Sequence, residues 1–350
     1  MLQRLHKRLG IVYPTPRINY EWFQAKCKQV DCAFSRAVRS LGSCGSGNHF
    51  IEFGVSEQTG DTWFTIHTGS RNFGKCVCEY WQGVARSQVL LKRFGDYDEK
   101  IREIRDTAKR PQDIPRLIKE FRKSLGIEDV KTDLEYLQDQ DMAGYLVDMV
   151  FAQAYAHINR SVISFIISEI LKVAEPKEAI ESVHNFICFN DFIIRKGAIR
   201  SYVGEKMIIP FNQVDGLILC EGKSNPDWNY SAPHGAGRVL SRNQAKKDLD
   251  QSKYERQMKA AGIYSTSVNS GTLDEAPDAY KKASVIEEAI EPTATIIDRL
   301  KPIIAMKDDG GNSLFLERKK AKRAQKKERR EFGRAKMEER EQLLGGTDEN

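Results

Sequence analysis

The chain has 350 residues, 30% charged and 40% hydrophobic, with a formal net charge of +6. That length suits about two domains or one large one and can bury a real core, while a mean hydropathy of −0.52 and no run of about 18 apolar residues exclude a transmembrane helix. Met1-Leu2-Gln3-Arg4 leads into no apolar segment, so no secretory leader is expected, and seven Cys in no CxxC framework point to reduced thiols in a cytoplasmic setting.

Residues 1–40 are polar and mildly basic, with aromatics at Tyr13, Tyr20, Trp22 and Phe23, and show no complete element pattern. Gly42 to Gly47 is a Gly/Ser loop. Phe50 to Val55 alternates like a strand, Gln58-Thr59-Gly60-Asp61 reads as a turn, and Thr62 to His67 reads as the return strand of a hairpin. Residues 74–93 read as a helix, and the densely charged stretch 97–125 as surface helices. Asp141 to Val173 carries apolar residues three and four apart and predicts a long helix ending before Pro176. Short apolar runs at 186–188, 192–194, 207–209 and 216–220, punctuated by Gly, Pro and Asn, predict strands. Val285 to Leu300 reads as a helix interrupted at Pro292. Together these elements predict a mixed α/β fold.

From Asp308 the composition changes. Asp309-Gly310-Gly311-Asn312 reads as a linker, and residues 317–336 hold 11 Lys/Arg against 3 Asp/Glu, which leaves the rest of the chain at −2, close to neutral. Such a run is a solvated helix or disordered tail, and clustered Lys/Arg can also serve as a phosphate-contacting arm through counterion release. The expected division is a polar N-terminal segment (1–40), a main body (41–307) and a charged tail (308–350).

Of the six His, four stand among small or polar residues: His49 after Gly45-Ser46-Gly47-Asn48, His67 before Thr68-Gly69-Ser70-Arg71, His184 before Asn185, and His234 in Pro233-His234-Gly235-Ala236-Gly237. Small neighbours let backbone N–H groups approach a phosphate or nucleotide, and neutral imidazoles converging from strand ends would suit a transition metal. No HExxH or HxxxH spacing links them, so convergence is not readable from spacing. His6 and His157 have ordinary helical surroundings. Gly42-Ser43-Cys44-Gly45-Ser46-Gly47 matches neither a dinucleotide fingerprint nor a P-loop. Cys76 and Cys78 would point apart on a helix, and packing explains them better than metal binding.

Several segments together resemble the RtcB family of GTP- and manganese-dependent RNA ligases, in that family's order over about residues 40–307. They are Leu41-Gly42-Ser43-Cys44-Gly45-Ser46-Gly47-Asn48-His49-Phe50-Ile51-Glu52, Ile66-His67-Thr68-Gly69-Ser70-Arg71, Arg195-Lys196-Gly197-Ala198, Asn225-Pro226-Asp227-Trp228-Asn229-Tyr230-Ser231-Ala232-Pro233-His234-Gly235-Ala236-Gly237-Arg238-Val239-Leu240-Ser241-Arg242, Asp274-Glu275-Ala276-Pro277-Asp278-Ala279-Tyr280-Lys281 and Glu291-Pro292-Thr293. The resemblance implies layered β-sheets flanked by helices. It implies joining of an RNA 3′-phosphate or 2′,3′-cyclic phosphate to a 5′-hydroxyl, in RNA repair or tRNA splicing, with GTP and Mn²⁺ as cofactors. His234 matches the nucleophile that becomes guanylylated, a role that suits neutral imidazole at pH 7. His49, His67 and His184 match metal ligands. Asn48, His49, Phe50, Ile51, Glu52, His184, Asn185, His234, Gly235, Ala236, Gly237, Tyr280 and Lys307 match guanylate-site positions.

Two stretches depart from the family. Its N-terminal Asp-x-x-Cys metal motif has no counterpart before His49, so the expectation is a separate chain supplying that segment or a start further upstream. Its guanylate-binding Pro-Gly-Ser-Met-Gly stretch is replaced by Pro210-Phe211-Asn212-Gln213-Val214-Asp215-Gly216, of which only Pro210 carries over. The implied partners are RNA with 3′-phosphate and 5′-hydroxyl ends, an archease-like activator and that separate chain, with no membrane. The rival readings are a non-catalytic RNA-binding or regulatory remnant of such a ligase and a metal-dependent phosphoesterase acting on RNA ends.

Overall fold

Strands β1 (Phe50–Ser56) and β2 (Thr62–His67) form the expected hairpin, antiparallel, with Phe50 opposite His67 and Val55 opposite Thr62. In the computed structural model, which describes residues 2–108, 110–126, 135–173 and 176–308, this hairpin is one edge of a five-stranded antiparallel sheet. The order is β2-β1-β9-β7-β6, with β6 Lys206–Pro210, β7 Leu217–Gly222 and β9 Ala294–Lys307.

The central strand corrects the sequence reading. Of the helix expected over Val285 to Leu300, only α10 (Ala283–Ala289) forms, and residues 294–307 are the strand that pairs with both β1 and β7. Pro292 ends the helix, and the Thr295-Ile296-Ile297 run after it is β-branched, stiff at χ1 and better placed on a pleated surface. Pro302 is tolerated in this central strand because it stands opposite Gly54, where the ladder with β1 shifts register.

β7 explains why its sequence is continuously apolar rather than alternating: both of its faces are covered. Ile218 and Cys220 pack with Ile199, Met207, Ile209, Phe211 and Ile290. Leu217 and Leu219 pack on the other side with Leu300 and Trp63. Two short ladders stand beside the sheet: β3 (Asn185–Ile187) with β4 (Ile194–Lys196), and β5 (Ala198–Arg200) with β8 (Ser231–Pro233). The strand expected over 192–194 therefore starts only at Ile194; Phe192, at φ +60°, belongs to the turn.

The first 40 residues, where no complete pattern was legible, contain α1 (Leu2–Leu9), α2 (Tyr20–Gln29) and α3 (Phe34–Arg39). α2 starts at Asn19, whose side chain accepts the Trp22 N–H at 2.8 Å. Phe23, Cys27 and Val30, four and three apart, form its inner stripe, a pattern masked by the use of Cys as a small hydrophobe. That stripe packs on α4 (Arg71–Phe94) and α7 (Asp139–Leu171) through Phe73, Cys76, Trp81 and Tyr155. Cys76 is buried and Cys78 exposed, as a helix requires, and all seven cysteines are free. α5 (Tyr97–Thr107) and α6 (Ile114–Ser124) fill the charged stretch. α8 (Arg242–Asp248) and α9 (Gln251–Ala260) follow β8, and α9 seats Tyr254 and Met258 against Leu273 and Ala305. No described helix is long and apolar enough to cross a membrane. The charged tail from residue 309 lies outside the described residues.

Candidate active site

Each of the four unusual His stands at a strand end. His49 immediately precedes β1 and His67 closes β2, so the hairpin register brings them to one edge. His184 immediately precedes β3, and His234 immediately follows β8. β4 and β5 are joined through Gly197, which links the two short ladders and so sets His184 beside His234. The rings form a continuous row: His49–His67 centroids 5.8 Å apart, His67–His184 5.4 Å, and His184–His234 4.7 Å and stacked. The structure thus brings together side chains that no spacing in the sequence connected.

His234 is held in one tautomer. Its Nδ1 lies 2.6 Å from the Gly197 carbonyl, which can only accept, so Nδ1 carries a proton and, in the neutral ring, Nε2 holds the lone pair. Gly197, at φ +67°, also donates its N–H to the His184 carbonyl at 2.8 Å and to Asn185 Oδ1 at 3.1 Å. A Cβ there would lie 3.1 Å from His234 Cε1. The loop after His234 is anchored by the Ala236 N–H, which donates to the Pro210 carbonyl at 3.1 Å.

The other three imidazoles are neutral at pH 7. Burial, assisted by the nearby Arg71 charge, lowers His49 to about 4. Burial and the neighbouring His184 and His49 lower His67 to about 3, and burial followed by His234 lowers His184. Neutral imidazole is the form that ligates metals, and His184 Nδ1 is buried without a hydrogen-bond partner. Arg71, however, lies 3.2 Å from His49 Nδ1 and makes that nitrogen an acceptor. Among the described residues no group of three or more His, Cys, Asp or Glu is spaced to hold a metal ion. The donor chemistry fits a divalent metal; the spacing, as the side chains stand, does not complete a site.

Beyond His67 the row continues across the ends of β1 and β9. Phe50 is paired with both His67 and Lys307, its ring 5.2 Å from His67 and 5.6 Å from the Lys307 ammonium. Lys307 is buried, which pushes its pKa down, while the Glu275 carboxylate opposes that shift. Glu52 shares this face; burial raises it to about 8, so it keeps its proton at pH 7, with Lys307 pulling the other way. Tyr280 Oη donates to Glu275 at 2.6 Å and receives Arg238 at 2.9 Å. Strand alternation turns Ile51 to the opposite face from Phe50 and Glu52, and Asn48 is exposed at the loop tip.

Sequence reasoning quoted Arg71, Arg238 and Glu275 inside motifs without giving them roles, and it missed Asn159 altogether. Arg71 reaches Ser43 Oγ at 3.1 Å as well as His49, over Gly45, where a Cβ would sit 1.5 Å from the guanidinium. Asn159, fully buried on α7, accepts the Gly42 N–H at 2.8 Å and donates to the Ser43 carbonyl at 3.1 Å and the Gly69 carbonyl at 3.4 Å. It therefore clamps the loops of both His49 and His67. Its only sequence signal is a polar residue on the buried side of a long helix. His157, set aside as ordinary, is exposed and bonded to Glu181 at 3.1 Å.

The family model described as tRNA-splicing ligase RtcB matches residues 18–308. The RNA-splicing ligases RtcB1 and RtcB from two strains of Escherichia coli are each 26% identical over 304 residues, covering 82% of this chain and 65% of theirs. The tRNA-splicing ligase RtcB of Aeropyrum pernix is 26% identical over 333 residues, covering 81% of this chain and 62% of its own. The chain thus spans about 65% of the length of the first curated relatives it matches.

Proposed function

The chain belongs to the RtcB family, and from that premise we propose that it is the catalytic body of an RNA ligase that joins a 3′-phosphate or 2′,3′-cyclic phosphate to a 5′-hydroxyl, using GTP. The observation that carries this reading is the His234 Nδ1 bond to the Gly197 carbonyl, which leaves Nε2 as the nucleophile. Nε2 attacks the α-phosphorus of GTP; the N–P bond forms, the bond to the bridging oxygen breaks, and pyrophosphate leaves. The Gly197 carbonyl takes up part of the positive charge on the ring. An oxygen of the RNA 3′-phosphate then displaces His234 from the GMP phosphorus. Finally the 5′-hydroxyl oxygen attacks the activated 3′-phosphate, GMP leaves, and the hydroxyl proton passes to water.

Arg71 beside His49 and Lys307 beside Phe50 supply donors for nucleotide oxygens, and Tyr280 is held against Glu275 next to Lys307. Mn²⁺ is the metal we propose at His67, His184 and His49, where it would neutralise phosphate charge and orient the in-line attack. Their neutral imidazoles support this assignment. The seven cysteines, all free, support a reducing, cytoplasmic setting. RNA is the proposed substrate, and an archease-like activator and a chain supplying further ligands are proposed partners.

The test is covalent labelling of the purified chain by α-labelled GTP with Mn²⁺, beside His234→Ala. Label on the wild type alone is expected and requires the metal. Label retained in the variant would refute His234 as nucleophile. Absence of label, together with salt-sensitive RNA binding, would favour the RNA-binding rival, for which the basic run at 317–336 is the supporting feature.

A further inference from the structure

Glu275 has a carboxylate that is 3% exposed and accepts from four side chains. Lys307 Nζ and Tyr280 Oη donate to its Oε2, the hydroxyl at 2.6 Å; Arg238 at 3.4 Å and Arg242 at 2.5 Å donate to its Oε1. Asp274 beside it pairs with Arg242 at 2.6 Å and Lys246 at 3.3 Å, sharing the load of positive charge. Lys307 is nearly as buried as Glu275, at 5% exposed. A buried ammonium is tolerated only when paired, and removing one partner of such a pair leaves an uncompensated charge. The same carboxylate sets the Tyr280 hydroxyl, over whose ring the Arg238 guanidinium stacks at 4.7 Å.

We propose that Glu275 is a positioning residue that fixes the Lys307 ammonium as a donor, and the Tyr280 ring as a wall, of the guanine-nucleotide pocket. The proposal rests on the reading of this site as guanylate-binding. Glu275 acts through its two neighbours: with both of its oxygens committed to them and to the arginines, the remaining N–H bonds of Lys307 are turned toward the ligand. One carboxylate therefore couples the end of β9 to the Arg238 and Tyr280 segment, two parts of the chain separate in sequence.

The experiment is a double-mutant cycle on the whole chain, read by calorimetric titration with GMP and with AMP as the control nucleotide. E275Q and K307M are each expected to weaken GMP by about tenfold, and the double variant to bind about as weakly as the worse single variant, because both remove one shared contact. E275D, which keeps the charge, is expected to recover part of the affinity, and it serves in the cycle if E275Q does not fold. Single effects that multiply in the double variant would overturn the proposal, since a general loss of structure behaves that way. Wild-type GMP binding matched by E275Q and E275D would overturn it while leaving the guanylate reading standing. No binding of GMP by the wild type would remove both.

Discussion

Gly197 brings both of its backbone groups into the site, the N–H on the His184 carbonyl and the carbonyl on His234 Nδ1. At φ +67° it occupies a conformation that costs a residue with a Cβ roughly 1–2 kcal/mol. The added methyl of Gly197→Ala would also stand 3.1 Å from His234 Cε1 and displace the ring. We expect this variant to lose about that much stability and to slow guanylylation by tenfold or more, on the order of the penalty for misplacing a reacting group by a fraction of an ångström. Urea denaturation measures the first effect and the initial rate of GTP labelling the second. An unchanged labelling rate would show that the carbonyl does not set the His234 ring for the proposed reaction.

At the scale of elements, the site is a meeting of loops, and the long helix α7 is what holds two of them. Asn159 reaches from it to the Gly42-Ser43 backbone and to the Gly69 carbonyl. Replacing it with Ala leaves the part-buried Gly42 and Ser43 N–H groups and the Ser43 and Gly69 carbonyls without this partner, at roughly 1–3 kcal/mol for a buried polar group left unmade. Asn159→Ala is expected to lose about 2 kcal/mol in denaturant unfolding, and to bring the His49 and His67 loops to earlier proteolysis than the β7 core. A variant as stable as wild type would mean that the loops hold themselves. β9 performs the corresponding service for the sheet, since one strand delivers Lys307 to Phe50 while its other end covers β7.

Across the whole molecule, the short ladders carrying His184 and His234 are tied by Arg195, which is buried and donates to Ser231 Oγ at 2.9 Å, the Asn229 carbonyl at 3.1 Å and Asp191 at 2.9 Å. Burial alone would raise the Asp191 carboxyl, but hydrogen bonds from Arg195, Tyr202 and the Ile193 N–H outweigh it and hold the group well below the ordinary carboxylate range. A depressed carboxyl contributes stability that is present above its unfolded pKa, about 3.9, and is lost as pH falls below that value. Unfolding free energy is therefore expected to drop on the acid side of about pH 4. Asp191→Asn should be less stable at neutral pH and show a shallower acid decline. Denaturation curves at a series of pH values check this, and an identical acid limb in the variant would remove Asp191 from the account.

What the sequence determined by itself was local: the hairpin at 50–67, the long helix, the continuously apolar β7, and the small residues around four His that mark the family. Alternation, helical spacing and contiguous motifs are properties of neighbours along the chain, so they can be read without the fold. Residues 294–300 read as part of a helix, because their strand identity depends on β1 and β7 lying on either side. Asn159 clamps a loop 117 residues away, and Glu275 meets Lys307 32 residues on. Such partnerships are chosen by burial and by the need of buried polar groups for partners, and those needs arise only once the chain has closed on itself. The sequence showed four imidazoles in unusual company; the fold brought them into one row.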